Sequence, residues 1–295
     1  MNAVSKVDLH SHTRGSDGRG TPAQIALAAR RAGLDALCLT DHHTNTTTEV
    51  AAVADALLAV GVHPILGTEY STEQGHLLVF GLVVPPYRWG TYPEMQTVID
   101  DVNRMGGACV VPHPFKGYKR ALKEHLVKVR GLCGVEAING QIGGPKDFQN
   151  ASAAKAAKRM GVPTVGSSDA HDPDDIGRVY TEFDGHVRTT ADLVTALRSG
   201  IGFRPMLNAK LPPRPRVVET VYAGTPFLYN PNADAERYPS AAWHREPWQG
   251  GPSRSTTIPP SERYYSSANG GRLTKSTDQY SFDDWWTARN KKPHR

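Results

Sequence analysis

The sequence predicts an α/β chain, a distorted (β/α)7 TIM-like barrel with an irregular C-terminal extension rich in proline, arginine and aromatic residues. Three observations carry that expectation. Short apolar runs alternate with helical patterns about seven times over some 200 residues. His, Asp or Glu closes one run after another, and the carboxyl ends of strands are where such barrels collect their catalytic groups. The alternation stops near Pro205, and residues 205–295 hold 12 of the 22 prolines and four of the five tryptophans. A doubly wound open sheet competes, but it would gather its polar strand ends at one crevice, and here they are spread over the whole series.

Taken in order, the apolar run at 4–9 reads as a buried strand that leads into Asp8-Leu-His-Ser-His-Thr-Arg-Gly-Ser-Asp-Gly18. Thr21 caps a helix with Pro22 at its first position and Gly33 as its stop. Residues 35–40 form a strand ending in Asp41-His42-His43, and a second helix capped within 45–48 runs to Gly61. Residues 62–66 form a strand that closes on Glu69. The long run at 75–84 begins with His76, which a hairpin brings back beside Glu69. A helix over 93–105, a strand at 108–111 delivering His113, a strand at 134–138 and a helix over 148–160 follow. A strand at 162–165 then enters Gly166-Ser-Ser-Asp169-Ala-His171, and a last helix spans 190–199.

Composition bounds the rest. A chain of 295 residues can bury one large core, here a domain over 1–204 with an extension over 205–295. Cys38, Cys109 and Cys133 are too few and too apolar in setting for a disulfide framework, so they read as small buried hydrophobes in a reducing compartment. No apolar run reaches the roughly 18 residues that span a bilayer, and the first six residues lack a signal-peptide core. The expected location is cytoplasmic, with no membrane partner. The net charge of +5 belongs to the extension, since 205–295 hold 13 of the 34 Lys and Arg and 8 of the 29 acids.

His10 and His12 stand two residues apart, so an extended backbone turns both rings to one side. A lone His-x-His is more often a pair of solvated loop histidines. Five further segments ending in His, Asp or Glu make metal binding the stronger reading. Imidazole and carboxylate donors suit manganese, iron or zinc, and no thiolate stands at these strand ends.

The pieces DLHSHTRGSDG (8–18), LTDHHT (39–44), GTEYS (67–71), HLLVFGL (76–82), VPHPF (111–115) and GSSDAH (166–171), in that order, resemble the polymerase and histidinol phosphatase (PHP) family of metal-dependent phosphoesterases. The resemblance covers about residues 4–204. It implies a seven-stranded distorted barrel holding two or three divalent ions, manganese, zinc or iron. One site would use His10, His12, Glu69 and Asp169; a second, Glu69 with His76 and His113; a third, Asp17, His42 and His171. Such ions activate water and clamp the oxygens of an in-line displacement, which makes phosphate esters the natural target. Glu69, Asp169 and His171 then serve the reaction as well as the ions, Asp169 by orienting or deprotonating water. Arg14 and Arg178 rank ahead of Lys116 as holders of phosphate oxygens. His43, Asp8 and Asp41 read as supports behind the ligands.

The expected activity is hydrolysis of a phosphate mono- or diester of a nucleotide or oligonucleotide. Only about 55 residues separate His113 from Asp169, too few for a large inserted domain over the site. The extension intersperses Arg214, Arg216, Arg237, Arg245, Arg254, Arg263 and Arg272 with Tyr222, Tyr229, Tyr238, Trp243, Trp248, Tyr264 and Tyr265. That mixture suits a partner chain or a nucleic acid. Rival readings are a phosphatase of small sugar or amino-alcohol metabolites, an amidohydrolase and a non-catalytic PHP-like module. Amidohydrolase barrels commonly bridge their ions with a lysine, which no strand end here supplies. A degenerate module would have lost ligands, and all nine are present.

Overall fold

A computed structural model of the chain describes residues 3–116 and 122–211. The arginines and aromatics singled out in the extension, from Arg214 onward, lie outside the described residues. Among the described residues nine strands form one sheet: β1 (Val4–Asp8), β2 (Ala36–Leu39), β3 (His63–Thr72), β4 (Gly75–Phe80), β5 (Ala108–Val111), β6 (Gly134–Asn139), β7 (Thr164–Ser167), β8 (Val179–Asp184) and β9 (Phe203–Leu207). Their order is β7-β6-β5-β4-β3-β2-β1-β8-β9. Five α-helices accompany them among the described residues: α1 (Pro22–Ala32), α2 (Thr48–Ala59), α3 (Met95–Arg104), α4 (Phe148–Met160) and α5 (Thr190–Ser199). Among the described residues no helix is long and apolar enough to cross a membrane.

Local chemistry explains the helix ends. Thr21 and Gln24 form a capping box ahead of Pro22, and Gly33 closes α1 at φ 72°, a left-handed value that glycine adopts without penalty. Thr47, within the expected 45–48, caps α2 by accepting from the Val50 amide. Residues of β2 alternate in where they go. Leu37 and Leu39 pack outward with α1 and α2, whereas Ala36 and Cys38 join Val7, Leu9, Ile65, Leu78, Phe80, Val110 and Val165 inside the barrel. Leu193 and Leu197 of α5 belong to the same inner cluster. Arg198 of that helix bonds the Gly107 carbonyl at the start of β5, so α5 plugs the end opposite the strand ends that carry the site.

The barrel is mixed where simple alternation predicts a parallel one. β1–β2, β2–β3, β5–β6 and β6–β7 are parallel, but β4 runs antiparallel to both neighbours, in the expected hairpin from β3. β8 and β9, unassigned by the sequence pattern, are antiparallel and fill the seam beside β1. Closure from β7 to β8 is made by a side chain: the Thr181 hydroxyl accepts from the Gly166 amide at 3.0 Å and donates to its carbonyl at 2.8 Å. Gly166 is needed there, because a Cβ would sit 2.9 Å from both Pro205 and Val179. The boundary expected after residue 204 falls inside β9, and Asn208 beyond it bonds the carbonyls of Ala32 and Gly177.

Candidate metal centre

Loop-to-loop hydrogen bonds bring distant motifs together. Past β1 the chain stays extended, and Ser11 pairs with Ala170: the His12 amide donates to the Ala170 carbonyl at 2.9 Å and the Ala170 amide to that of His10 at 3.3 Å. This stitch sets His10 and His12 beside Asp169 and His171. On the other side the Thr40 amide donates to the Ser11 carbonyl, and His42 bridges Glu69. Glu69, expected where a strand gives out, lies inside the longer β3. It stands just past the parallel pairing with β2, which ends at Leu39–Leu66, and within the antiparallel pairing with β4. Asp17 is reached by a tight turn, in which a Cβ on Gly18 would lie 2.2 Å from the His12 carbonyl oxygen.

All nine expected ligands converge. His10 Nε2 and His12 Nε2 are 3.2 Å apart, and Glu69 Oε2 is 3.2 Å from each. Asp169 Oδ1 lies 3.4 Å from His10 and 3.5 Å from His12. Glu69 Oε1 faces His76 Nδ1 at 2.6 Å and His113 Nε2 at 3.0 Å. Asp17 Oδ2 faces His42 at 3.4 Å and His171 at 3.2 Å. Asp169 and His113 hold left-handed backbone, φ 55° and 28°, a strain that non-glycine residues adopt where the surroundings impose it.

The donor set fits divalent ions. Triads such as His10–His12–Glu69, Glu69–His76–His113 and His12–Asp17–His42 have their donor atoms within 4.8 Å of one another. The 3.2 Å triangle matches adjacent donors on one ion with bonds of about 2.0–2.2 Å. His42 Nδ1 is buried with no hydrogen-bond partner among the described residues and lies 3.5 Å from Glu69 Oε2. Tautomers follow from what sits behind the rings. The Asp169 carbonyl can only accept, so His171 Nδ1 carries the proton at 2.9 Å and Nε2 is left facing Asp17. Glu136 Oε1, 3.3 Å from His10 Nδ1, likewise leaves Nε2 facing the cluster.

The charges are strongly coupled. Burial would push His10 down, yet Asp169 and Glu69 hold it well above its ordinary value. Against the same burial, Asp169, Glu69 and Asp17 raise His12 to about 10. Burial would raise the carboxyls of Glu69 and Asp169, but facing imidazoles, and for Asp169 first of all Lys116, hold both well below the carboxylate range. His76 is pushed down by burial despite Glu69, whose Oε1 lies 2.6 Å from its Nδ1.

Several supporting roles differ from expectation. Lys116, ranked behind the arginines, places Nζ 2.9 Å from Asp169 Oδ2. Arg14 Nε instead bonds the Arg19 carbonyl in its own loop, and Arg178 Nε bonds the Asp174 carbonyl and the Asp175 carboxylate. Asp8 and Asp41, expected as supports behind the ligands, bond the loops around the cluster. Asp8 accepts from the amides of Ser168 and Gly177 and from the Ser168 hydroxyl, while burial lifts its carboxyl to about 6. Asp41 accepts from Thr13 and Ser16. His43 packs against Tyr70 and Tyr87. Glu136 was missed. Fully buried in β6, it accepts from the His113 amide at 2.7 Å, from Asn139 at 2.8 Å and from the Ser167 hydroxyl. Its signal was a lone carboxylate in the apolar run Gly134-Val-Glu-Ala-Ile, which burial obliges to find partners.

Comparison with known proteins agrees with this geometry. The PHP domain model matches residues 8–111, and the PHP-associated model matches residues 148–201. An uncharacterised protein of Methanocaldococcus jannaschii is 28% identical over 147 residues, 45% of this chain and 81% of its own length. Among solved structures, a two-domain protein of Bacteroides vulgatus described as containing a predicted PHP-like metal-dependent phosphoesterase superposes with a TM-score of 0.55 at 20% identity. That match covers 70% of this chain and 66% of the other, just under two thirds of its length. PsfC of Pseudomonas syringae superposes with a TM-score of 0.53 at 19% identity, covering 72% and 94%. At these identities the structural matches speak for the fold. With both domain models matched and the six motifs meeting at one end of the barrel, the chain belongs to the PHP family.

Proposed function

We propose that this chain hydrolyses a phosphate mono- or diester, of a nucleotide or oligonucleotide, at two or three manganese, zinc or iron ions. His10, His12, Asp17, His42, Glu69, His76, His113, Asp169 and His171 would hold them. The carrying observation is the convergence of these nine side chains around Glu69, whose two oxygens face different sets of imidazoles. Bound there, divalent ions polarise phosphoryl oxygens and make water nucleophilic near neutral pH.

The chain's own groups divide the remaining work. Asp169 Oδ2 is engaged by Lys116 and by Asn139 at 3.1 Å, which leaves Oδ1 for the cluster. Asp169 would serve as ligand and as the group that orients or deprotonates water. Lys116 stands at the mouth with 35% of its side chain exposed, placed to meet non-bridging phosphate oxygens. It takes the role expected of Arg14 and Arg178. Substrate enters over Asp17, His42, His76 and His171, each about a quarter exposed. The buried Cys38 and Cys109 support a reducing, cytoplasmic setting. Contact of the basic extension with a partner chain or nucleic acid completes the proposal.

The test is hydrolysis by metal-free protein reconstituted with manganese, offered an aryl phosphomonoester, an aryl phosphodiester and a short 5′-phosphorylated oligonucleotide, with Asp169→Asn alongside. Manganese-dependent turnover lost in the variant is the expected result. Preference for the small monoester would favour the metabolite phosphatase, and no turnover on any substrate would favour the binding module.

A further inference from the structure

Beside the cluster, residues 85–93 (PPYRWGTYP) hold an aromatic ring at the surface under unusual constraint. Tyr87 lies flat on His43, ring centroids 5.0 Å apart and planes at 22°, and is 45% exposed. Both residues adopt left-handed backbone, φ 54° for Tyr87 and 63° for His43. His43 is also wedged edge-on against buried Tyr70 at 4.9 Å. The Tyr70 hydroxyl donates to the Gly90 carbonyl at 2.6 Å and accepts from the Trp89 amide. Trp89 in turn bonds Asp101.

The segment is also tied to the strand end that carries His42. Asn45 pairs its side chain with the Leu82 carbonyl and the Val84 amide, and the Thr44 hydroxyl donates to the Val84 carbonyl. The His43 ring is 6.1 Å from that of His42, which stands at the mouth with Nε2 3.4 Å from Asp17. The result is a rigid π-face two ring spacings from His42, covered on one side and open on the other. Left-handed non-glycine residues persist where the surroundings impose them, and both partners of this stack are of that kind.

We propose that Tyr87, seated on His43, is the base-stacking face of a nucleoside phosphoester subsite. The phosphate would lie over the His42 side of the cluster and the base would cover the open face of Tyr87. This rests on the phosphoesterase reading and adds to it the part of the substrate that is recognised. Stacking of a base on one aromatic side chain corresponds to a roughly 5- to 100-fold difference in KM.

The experiment uses the manganese-loaded full chain and compares kcat/KM for adenosine 5′-monophosphate, an aryl phosphate and glycerol phosphate in wild type, Tyr87→Leu and Tyr87→Trp. Leucine keeps apolar bulk on His43 without a π-face. We expect the nucleotide-to-glycerol-phosphate ratio to fall about 5- to 100-fold in Tyr87→Leu, mostly through KM, and to be restored in Tyr87→Trp. A drop shared equally by all three substrates, or an unchanged ratio, overturns the subsite. A drop for the aryl phosphate alone overturns the nucleoside assignment. If wild type turns over none of the three, the phosphoesterase reading fails, and calorimetry still tests the subsite. Adenosine monophosphate should bind tighter than inorganic phosphate, a margin that Tyr87→Leu should erase; equal binding in wild type overturns it.

Discussion

The floor of the cluster and its rim are made of the same residue types in different surroundings. His10, His12, Glu69, His113 and Asp169 have side chains no more than 2% exposed. Asp17, His42, His76 and His171 stand at 24–27%. A carboxylate at the floor has no water to fall back on, so its charge must be met by imidazolium, by Lys116 or by an ion. A rim group exchanges partners with solvent at little cost. The floor therefore decides whether ions are held, and the rim decides what approaches them.

The sharpest break of that contrast is at the floor. Glu69→Gln or His10→Ala should lower manganese-dependent turnover by more than about 100-fold while far-UV circular dichroism is unchanged. Activity within tenfold of wild type would contradict the floor as the place where ions are held. At the rim, His171→Ala should cost roughly 10- to 100-fold and shed part of the bound metal while the floor keeps its own. Elemental analysis reads this directly, and complete loss of metal would erase the distinction.

Behind the floor, Glu136→Gln should weaken manganese binding by about tenfold, because the amide keeps one acceptor oxygen and turns an NH2 donor toward either His10 Nδ1 or the His113 amide. Titration of the metal-free protein measures this, and unchanged affinity would leave Glu136 as packing alone. Protons sharpen the comparison further. His12 is raised from 6.5 to about 10, so in metal-free protein it contributes stability that is fully present below pH 6.5 and lost as pH rises through about 10. An ion needs the neutral ring, so manganese uptake at pH 8 should release protons and weaken as pH falls. Calorimetry in buffers of different ionisation heat would detect that release, and its absence would mean that His12 is already neutral. The smallest effect lies far from the ions. Asn208→Ala removes two buried bonds and should cost about 1–2 kcal/mol in urea unfolding without touching metal content.

Much of this was legible from residue order. Thr21-Pro22 and Gly33 bound α1, and α4 and α5 run over the residues that the helical pattern indicated. The hairpin bringing His76 toward Glu69 was legible because a short turn separates two apolar runs. The direction of long side chains was not. Arg14 belongs to the His-x-His motif but reaches back to Arg19, whereas Lys116 crosses to Asp169, 53 residues away in the chain. Neighbourhood in sequence says which loop a cation sits on and nothing about which way its flexible stem turns.

By itself, then, the sequence indicated most of the strand and helix alternation and the motifs that resemble the family, because periodicity, caps and residue types are local properties of the chain. Tertiary structure alone decided that β8 and β9 run antiparallel, that Thr181 closes the seam, that Glu136 stands behind His10 and that Lys116 meets Asp169. Each of those depends on which surfaces meet when the barrel closes. Burial then forces every polar group so enclosed to take the partner that the neighbouring strand presents.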